Sequence, residues 1–208
     1  MCGQLIYVPR DTIEMIIQEG SIRNAVIRVP DWPAIAPNAF PGSFIPLIVQ
    51  SDGGLHVQEM TWGYPVEWSR QPVFNTRCEK AVSDEGSHMW RSSLEERRCI
   101  IPSYGFFEPH RSEKTISLKT NKEVKQKYFF KMADEPLTFL AGIYENGHCS
   151  VMTTEPNATM LPIHDRMPVV LRQGEVEKWL SGNYEALFDR SDVNLYATRV
   201  ESPQQRLF

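Results

Sequence analysis

Six apolar runs of strand length, each closed by turn residues, dominate this chain and limit what it can fold into. They read SFIPLIVQ (43–50), LHVQEMTWG (55–63), CIIPSYGFFE (99–108), KYFFKM (127–132), LTFLAGIYE (137–145) and CSVMTT (149–154), and LIYV (5–8) adds a first strand. Helical patterns are few. DTIEMIIQEG predicts a short helix with Asp11 as N-cap, Glu14 three residues on, Ile13, Ile16 and Ile17 on one face, and Gly20 as its stop. A second helix is expected within 83–97 and a third in EVEKWLSG, which ends at Gly182. Strands that outnumber helices and rarely alternate with them predict an α+β fold. The expected architecture is a single domain over 1–208, built on a mainly antiparallel, curled or barrel-like sheet with peripheral helices. The most polar stretch, PHRSEKTISLKTNKEVKQK (109–127), reads as a loop or hairpin between strands.

Composition removes several classes of function. An apolar fraction of 41% and a charged fraction of 23% are those of an ordinary globular chain. No stretch approaches the roughly 18 apolar residues of a membrane span, and the N-terminus lacks a signal-peptide pattern. A cytoplasmic or otherwise intracellular protein with no membrane partner is therefore expected. Cys2, Cys78, Cys99 and Cys149 are scattered without a CxxC pair, which opposes a disulfide framework and a zinc ribbon. A net charge of −4 opposes a blanket nucleic-acid coat and leaves room for a local basic groove.

Against this background, the second residue poses a chemical question. Once the initiator methionine is removed, as a small second residue favours, the chain begins with Cys2. An N-terminal cysteine carries an α-amine that titrates near ~7.7–8.0, against ~10.4 for lysine, next to a thiol near ~8.5. Both are nucleophiles at neutral pH. Three further segments place polar residues inside apolar surroundings: Asn75 and Arg77 in VFNTRCEKA, Glu108 after the aromatic pair in CIIPSYGFFEPH, and His164, Asp165 and Arg166 in LPIHDRMPVVL. Taken singly, each reads as a satisfied structural group: Asn75 a turn former, Glu108 a solvated strand end, His164 a packed histidine.

Taken in order, the blocks form a set. MCGQ (1–4), NAFPG (38–42), WGYPVEW (62–68), NTRCE (75–79), RRCIIPSYGFFEP (97–109), AGIYE (141–145) and IHDRMP (163–168) span nearly the whole chain. With them the chain resembles the SRAP family, the SOS-response-associated peptidase domains, whose members shield abasic sites in single-stranded DNA by covalent cross-linking. The resemblance implies that the Cys2 amine condenses with the ring-opened aldehyde and that its thiol closes a five-membered thiazolidine. It also implies Asn75, Glu108 and His164 as the partners of Cys2: Asn75 orienting the amine, Glu108 shuttling its protons, His164 near the sugar O4′ promoting ring opening. Arg77 and Arg166 match arginines that hold flanking phosphates, and Trp68 matches an aromatic at the family's DNA wedge. The implied partner is single-stranded DNA containing an abasic site, bound by a monomer without metal or cofactor.

The remaining tempting residues read as structural. Trp62, Cys78, Cys99 and Cys149 sit in apolar patterns and are expected in the core, His110 is expected to be solvated, and Tyr144 and Glu145 to be structural. The adjacent Arg97 and Arg98 are not expected to share a face. Three departures from the family pattern stand out: Gln4 where an arginine is usual, which removes or weakens a phosphate contact, Pro109 for a tryptophan, and Thr76 for an alanine. Two other enzyme readings compete. A glutamine-amidotransferase-like hydrolase would also begin Met-Cys-Gly, and a cysteine peptidase would use Cys2, His164 and Asn75. An abasic-site lyase is a variant of the main reading, and a simple single-strand or modified-base binder needs no Cys2 at all.

Overall fold

A computed structural model describes residues 2–20, 22, 37–83 and 89–201. In chain order the elements are β1 (Gln4–Tyr7), α1 (Arg10–Gln18), β2 (Asn38–Ala39), β3 (Phe44–Ser51), β4 (Gly54–Trp62), β5 (Tyr64–Val66), β6 (Ser69–Val73) and β7 (Asn75–Arg77). There follow α2 (Cys78–Val82), α3 (Arg91–Glu96), β8 (Arg98–Ile116), β9 (Glu123–Met132), β10 (Thr138–Glu145) and β11 (His148–Thr154). β12 (Met167–Pro168), β13 (Val170–Leu171), α4 (Val176–Ser181) and β14 (Leu195–Arg199) complete the chain.

The sheet closes on itself. β8 pairs antiparallel with β3 on one side and β10 on the other, β10 pairs with β11, and a parallel contact between β11 and β4 completes the ring through the β3–β4 hairpin. β1 and β9 extend the sheet along the second part of β8, and β7 lies parallel to β11. β3, β10, β11 and the first half of β8 are largely apolar because both of their faces are buried. Cys99 and Ile101 enter one core cluster with Ile45, Leu47, Trp62 and Leu140, while Ile100 enters the other with Ile48, Ile13, Leu94 and Trp179. That alternation is the two-residue strand period dividing an inner core from one covered by helices. The mixed architecture, with a curled and largely antiparallel sheet and few helices, matches the expected fold class. No helix among the described residues is long and apolar enough to cross a membrane.

Several local expectations need correction. α1 starts two residues earlier than its sequence signal: Pro9 is the N-cap, and its carbonyl accepts the Ile13 N–H at 3.1 Å. Asp11 therefore lies in the first turn, where its charge meets the positive end of the helix, and Glu14 accepts from Arg10 at 2.7 Å instead of closing a capping box. Of the segment 83–97, α3 is the described helix and residues 84–88 lie outside the described set. Glu108 does not end its strand. β8 continues to Ile116 and returns as β9, so of the two forms expected for 109–127 it is the hairpin that is present. A bulge redirects the arm at its root, where the Ser112 and Glu113 N–H groups donate to His110 Nδ1 at 3.1 and 2.9 Å. His110 is half-buried by that role and is not simply solvated.

Candidate functional site

Four chain-distant side chains meet at the N-terminal end of β1. Cys2 is 1% exposed and packs in the inner core cluster. Asn75, placed at the start of β7 beside Val151 of β11, donates from Nδ2 to the Cys2 carbonyl at 2.9 Å. Glu108 is buried on β8 opposite Tyr128, and its Oε1 lies 3.4 Å from His164 Nε2. The geometry thus unites all four residues expected to carry catalysis. Asn75 holds the backbone carbonyl of Cys2, while its own Oδ1, also buried, has no hydrogen-bond partner among the described residues.

The loop that presents His164 is fixed at both ends. Asn157 fastens its start, donating to the Val193 carbonyl at 2.8 Å and accepting the Met160 N–H at 3.0 Å. The Ile163 and His164 N–H groups both donate to the Met160 carbonyl at 2.9 Å, and the Arg111 N–H of the arm donates to the Ile163 carbonyl at 2.9 Å. The Arg166 N–H donates to His164 Nδ1 at 3.1 Å. A nitrogen that accepts carries no proton, so in the neutral ring Nε2 bears the hydrogen and directs it at Glu108. Asp165, 3.0 Å from the same Nδ1, becomes a partner when the ring is protonated.

Burial sets the electrostatics. It pushes the Glu108 carboxyl above its ordinary range and holds His164 below its own. It also raises the Cys2 thiol far above the usual thiol range, with the neighbouring Glu108 charge adding to the effect. The resting sulfur is therefore a protonated thiol. The two shifts run in opposite directions and bring the proton affinities of the Glu108 carboxylate and the His164 imidazole closer together.

The residues expected at DNA divide. Arg77 is exposed at the N-cap of α2 and has no ion-pair partner among the described residues. Trp68 is 74% exposed at the turn between β5 and β6. Arg166, by contrast, is 6% exposed. Its guanidinium donates to Glu155 at 2.7 Å, to Glu79 at 2.9 Å and to the Thr153 carbonyl at 2.9 Å. It fastens the His164 loop to α2 and β11, so the position expected at a phosphate is engaged inside the protein. Glu79 and Glu155 went unremarked from sequence, although Glu79 closes the same NTRCE block as Asn75.

Gln4 is also engaged: its Oε1 accepts from Lys127 Nζ at 2.7 Å and its Nε2 donates to Asn38 Oδ1 at 2.8 Å. Thr76 satisfies its buried hydroxyl with Ser150 at 2.8 Å. Trp62, Cys78, Cys99 and Cys149 are buried as expected. Arg97 and Arg98 are structural and separate, with Arg97 on Glu96 and Glu145 and Arg98 on the carbonyls of Leu94, Glu95, Trp179 and Leu180. Among the described residues no cluster of three or more His, Cys, Asp or Glu side chains is placed to hold a metal.

Comparison with known proteins follows the same lines. A family model described as SOS response associated peptidase (SRAP) matches residues 1–202. The abasic site processing protein YoaM of Bacillus subtilis is 29% identical over 158 residues, covering 69% of this chain and 65% of its own. The abasic site processing protein YedK of Escherichia coli is 29% identical over 152 residues, 69% of this chain and 63% of its own. The match thus spans just under two thirds of the length of these relatives. Among solved structures, a Bacteroides thetaiotaomicron protein superposes with a TM-score of 0.66 at 22% identity, covering 96% of this chain and 92% of its own, which establishes a shared fold.

Proposed function

The chain belongs to the SRAP family, and from that premise we propose that it processes abasic sites in single-stranded DNA by covalent capture through Cys2. The observation that carries the reading is the convergence of Cys2, Asn75, Glu108 and His164 from four distant segments into one buried site. With Met1 removed, the α-amine of Cys2 attacks the aldehyde carbon of the ring-opened sugar. A C–N bond forms, and loss of water gives an imine. The thiol then adds across that imine, its sulfur bonding to carbon and its proton passing to nitrogen, and a thiazolidine results.

The site suits this order of events. The buried Oδ1 of Asn75 lacks a donor, an arrangement that costs about 1–3 kcal/mol, and the α-amine of the residue Asn75 already grips can supply one. Glu108 accepts the proton that the amine must lose and returns it to the departing water. His164, with Nε2–H aimed into the site, donates toward the sugar oxygen that leaves on ring opening. Arg77 holds a flanking phosphate and Trp68 stacks on a base, whereas Arg166 keeps His164 in place. A protonated, buried thiol beside a carboxylate is poorly prepared to attack an amide first, which weighs against the amidotransferase and peptidase readings. If ring closure lags, β-elimination from the imine nicks the strand, giving a lyase by-product.

The test uses protein shown by mass spectrometry to begin at Cys2 and a single-stranded oligonucleotide with one abasic site. A denaturation-resistant adduct without borohydride, lost in Cys2→Ala, supports the reading. An adduct seen only with borohydride would replace it with a transient Schiff-base lyase.

A further inference from the structure

The hairpin arm formed by the second half of β8 and the start of β9 has a charge at odds with the rest of the molecule. Residues 109–127 hold six basic side chains (Arg111, Lys114, Lys119, Lys122, Lys125 and Lys127) against two acidic ones (Glu113 and Glu123). The arm is therefore +4 within a chain of −4, and everything outside it sums to −8. A concentration of like charge on a two-stranded projection is costly unless something of opposite sign visits it. Lys119, Lys122, Lys125 and Lys127 are exposed, and among the described residues none of them pairs with a carboxylate. Lys114 is the exception, bridged to Glu123 across the arm.

The arm is rigid at its root and grows out of the site. Tyr128 donates to Glu113 at 2.7 Å, Arg199 of β14 pairs with the same carboxylate at 2.9 Å, and the Arg111 backbone ties the arm to the His164 loop. Glu108 is the last residue before it on β8. Lys127 is held at 2.7 Å by Gln4, two residues after Cys2. Lys125 is close enough to Glu108 and His164 for its charge to act on both. Lys125 and Lys127 also border a shallow depression of about 400 Å³ whose floor includes Ile116, Val124 and Val200. Phosphate-binding ammonium groups next to an apolar trough suit a nucleic-acid strand, which offers anions on one side and sugar and base faces on the other.

We propose that this arm is a second DNA-binding element, which carries the phosphates of the single strand leading away from the captured abasic site. Lys127 and Lys125 take the phosphates nearest the lesion, and Lys122 and Lys119 those farther out. The Gln4 carboxamide fixes Lys127, so that a cation stands beside β1 although residue 4 is neutral. The inference rests on the single-strand reading above and adds a place and a direction to it.

The experiment measures equilibrium binding of the Cys2-starting protein to a single-stranded oligonucleotide bearing a tetrahydrofuran abasic analogue, which cannot cross-link, across a salt series. Each phosphate contact on a single strand contributes about 0.7 to the slope of log affinity against log salt. Lys119→Gln/Lys122→Gln and Lys125→Gln/Lys127→Gln should each lower that slope by about 1.4. Lys178→Gln on α4, a single charge change away from the arm, should leave it unchanged. Unaltered slopes in both arm variants, or a fall of about 0.7 in Lys178→Gln, would overturn the proposal. Cross-linking at saturating abasic DNA separates the two ideas. The Lys178→Gln control should match wild type in final adduct, whereas absence of any wild-type adduct would refute the covalent reading without touching the slopes.

Discussion

The two halves of β8 are one continuous strand with opposite assignments. From Cys99 to Phe106 every residue is buried, and the strand is shared among β3, β10, β1 and β9. From Arg111 to Ile116 it is largely exposed, basic and paired only with β9. Glu108 stands between them, buried yet ionisable. The contrast teaches that stability and chemistry are separated along the strand. The first half can tolerate little change, the second can tolerate much, and the residue at the crossing carries the cost of a buried carboxyl.

The sharpest test of that contrast is in the buried half. Phe106 is fully buried and stacked on Phe130 at 5.4 Å between centroids. Phe106→Ala should cost about 3–5 kcal/mol in denaturant unfolding. Gly105→Ala should rival it, because Gly105 has φ 153° and an added Cβ would run into the Phe129 ring and the Phe130 carbonyl. If either variant unfolds like wild type, the first half of β8 is not the structural part.

Glu108→Gln should break the contrast the other way. Adduct formation should slow by about 10²-fold or more, while the melting temperature stays level or rises, since a buried charge is gone. The pH dependence follows from the two shifts. Above the ordinary carboxyl value of 4.5, folded Glu108 keeps a proton that the unfolded chain has lost, so stability falls as pH rises through its raised range. Below the ordinary imidazole value of 6.5, the unfolded chain binds a proton that folded His164 resists, so stability falls as pH drops toward its lowered range. The two slopes oppose each other in wild type. Glu108→Gln leaves the histidine slope alone, and thermal unfolding between about pH 5 and 7 should show stability rising with pH more steeply than in wild type.

Arg166→Met should have an intermediate effect, loosening the His164 loop. It should lower the adduct rate more than the affinity for the unreactive analogue, a division that a phosphate contact would reverse. Smallest of all, Lys119→Gln at the arm tip should move the unfolding free energy by no more than about 0.5 kcal/mol.

Much of this was legible in the sequence, for reasons that can be named. The strands announced themselves because burial on both faces demands continuous apolar runs, as in CIIPSYGFF. The site residues showed as polar interruptions of such runs. Less visible was the cap of α1, where Pro9 competed with a conventional Asp11 signal. Composition alone does not separate loop from hairpin in the extension of β8 past Glu108, because a half-exposed, lysine-rich strand lacks a continuous apolar run. The engagement of Arg166 was hidden as well, since an arginine suits a carboxylate and a phosphate equally. The Gln4–Lys127 bond joins residues 123 apart and has no local signature.

The central claim is that Cys2 forms the covalent bond with both of its nucleophiles. Intact-mass measurement after incubation with abasic single-stranded DNA tests it most directly. A single adduct is expected, with the mass of protein without Met1 plus oligonucleotide minus one water, stable to denaturation without reductant. It should be absent from Cys2→Ala and from protein that retains Met1. An adduct of that mass formed equally well by Cys2→Ala, or none from protein confirmed to begin at Cys2, would contradict it.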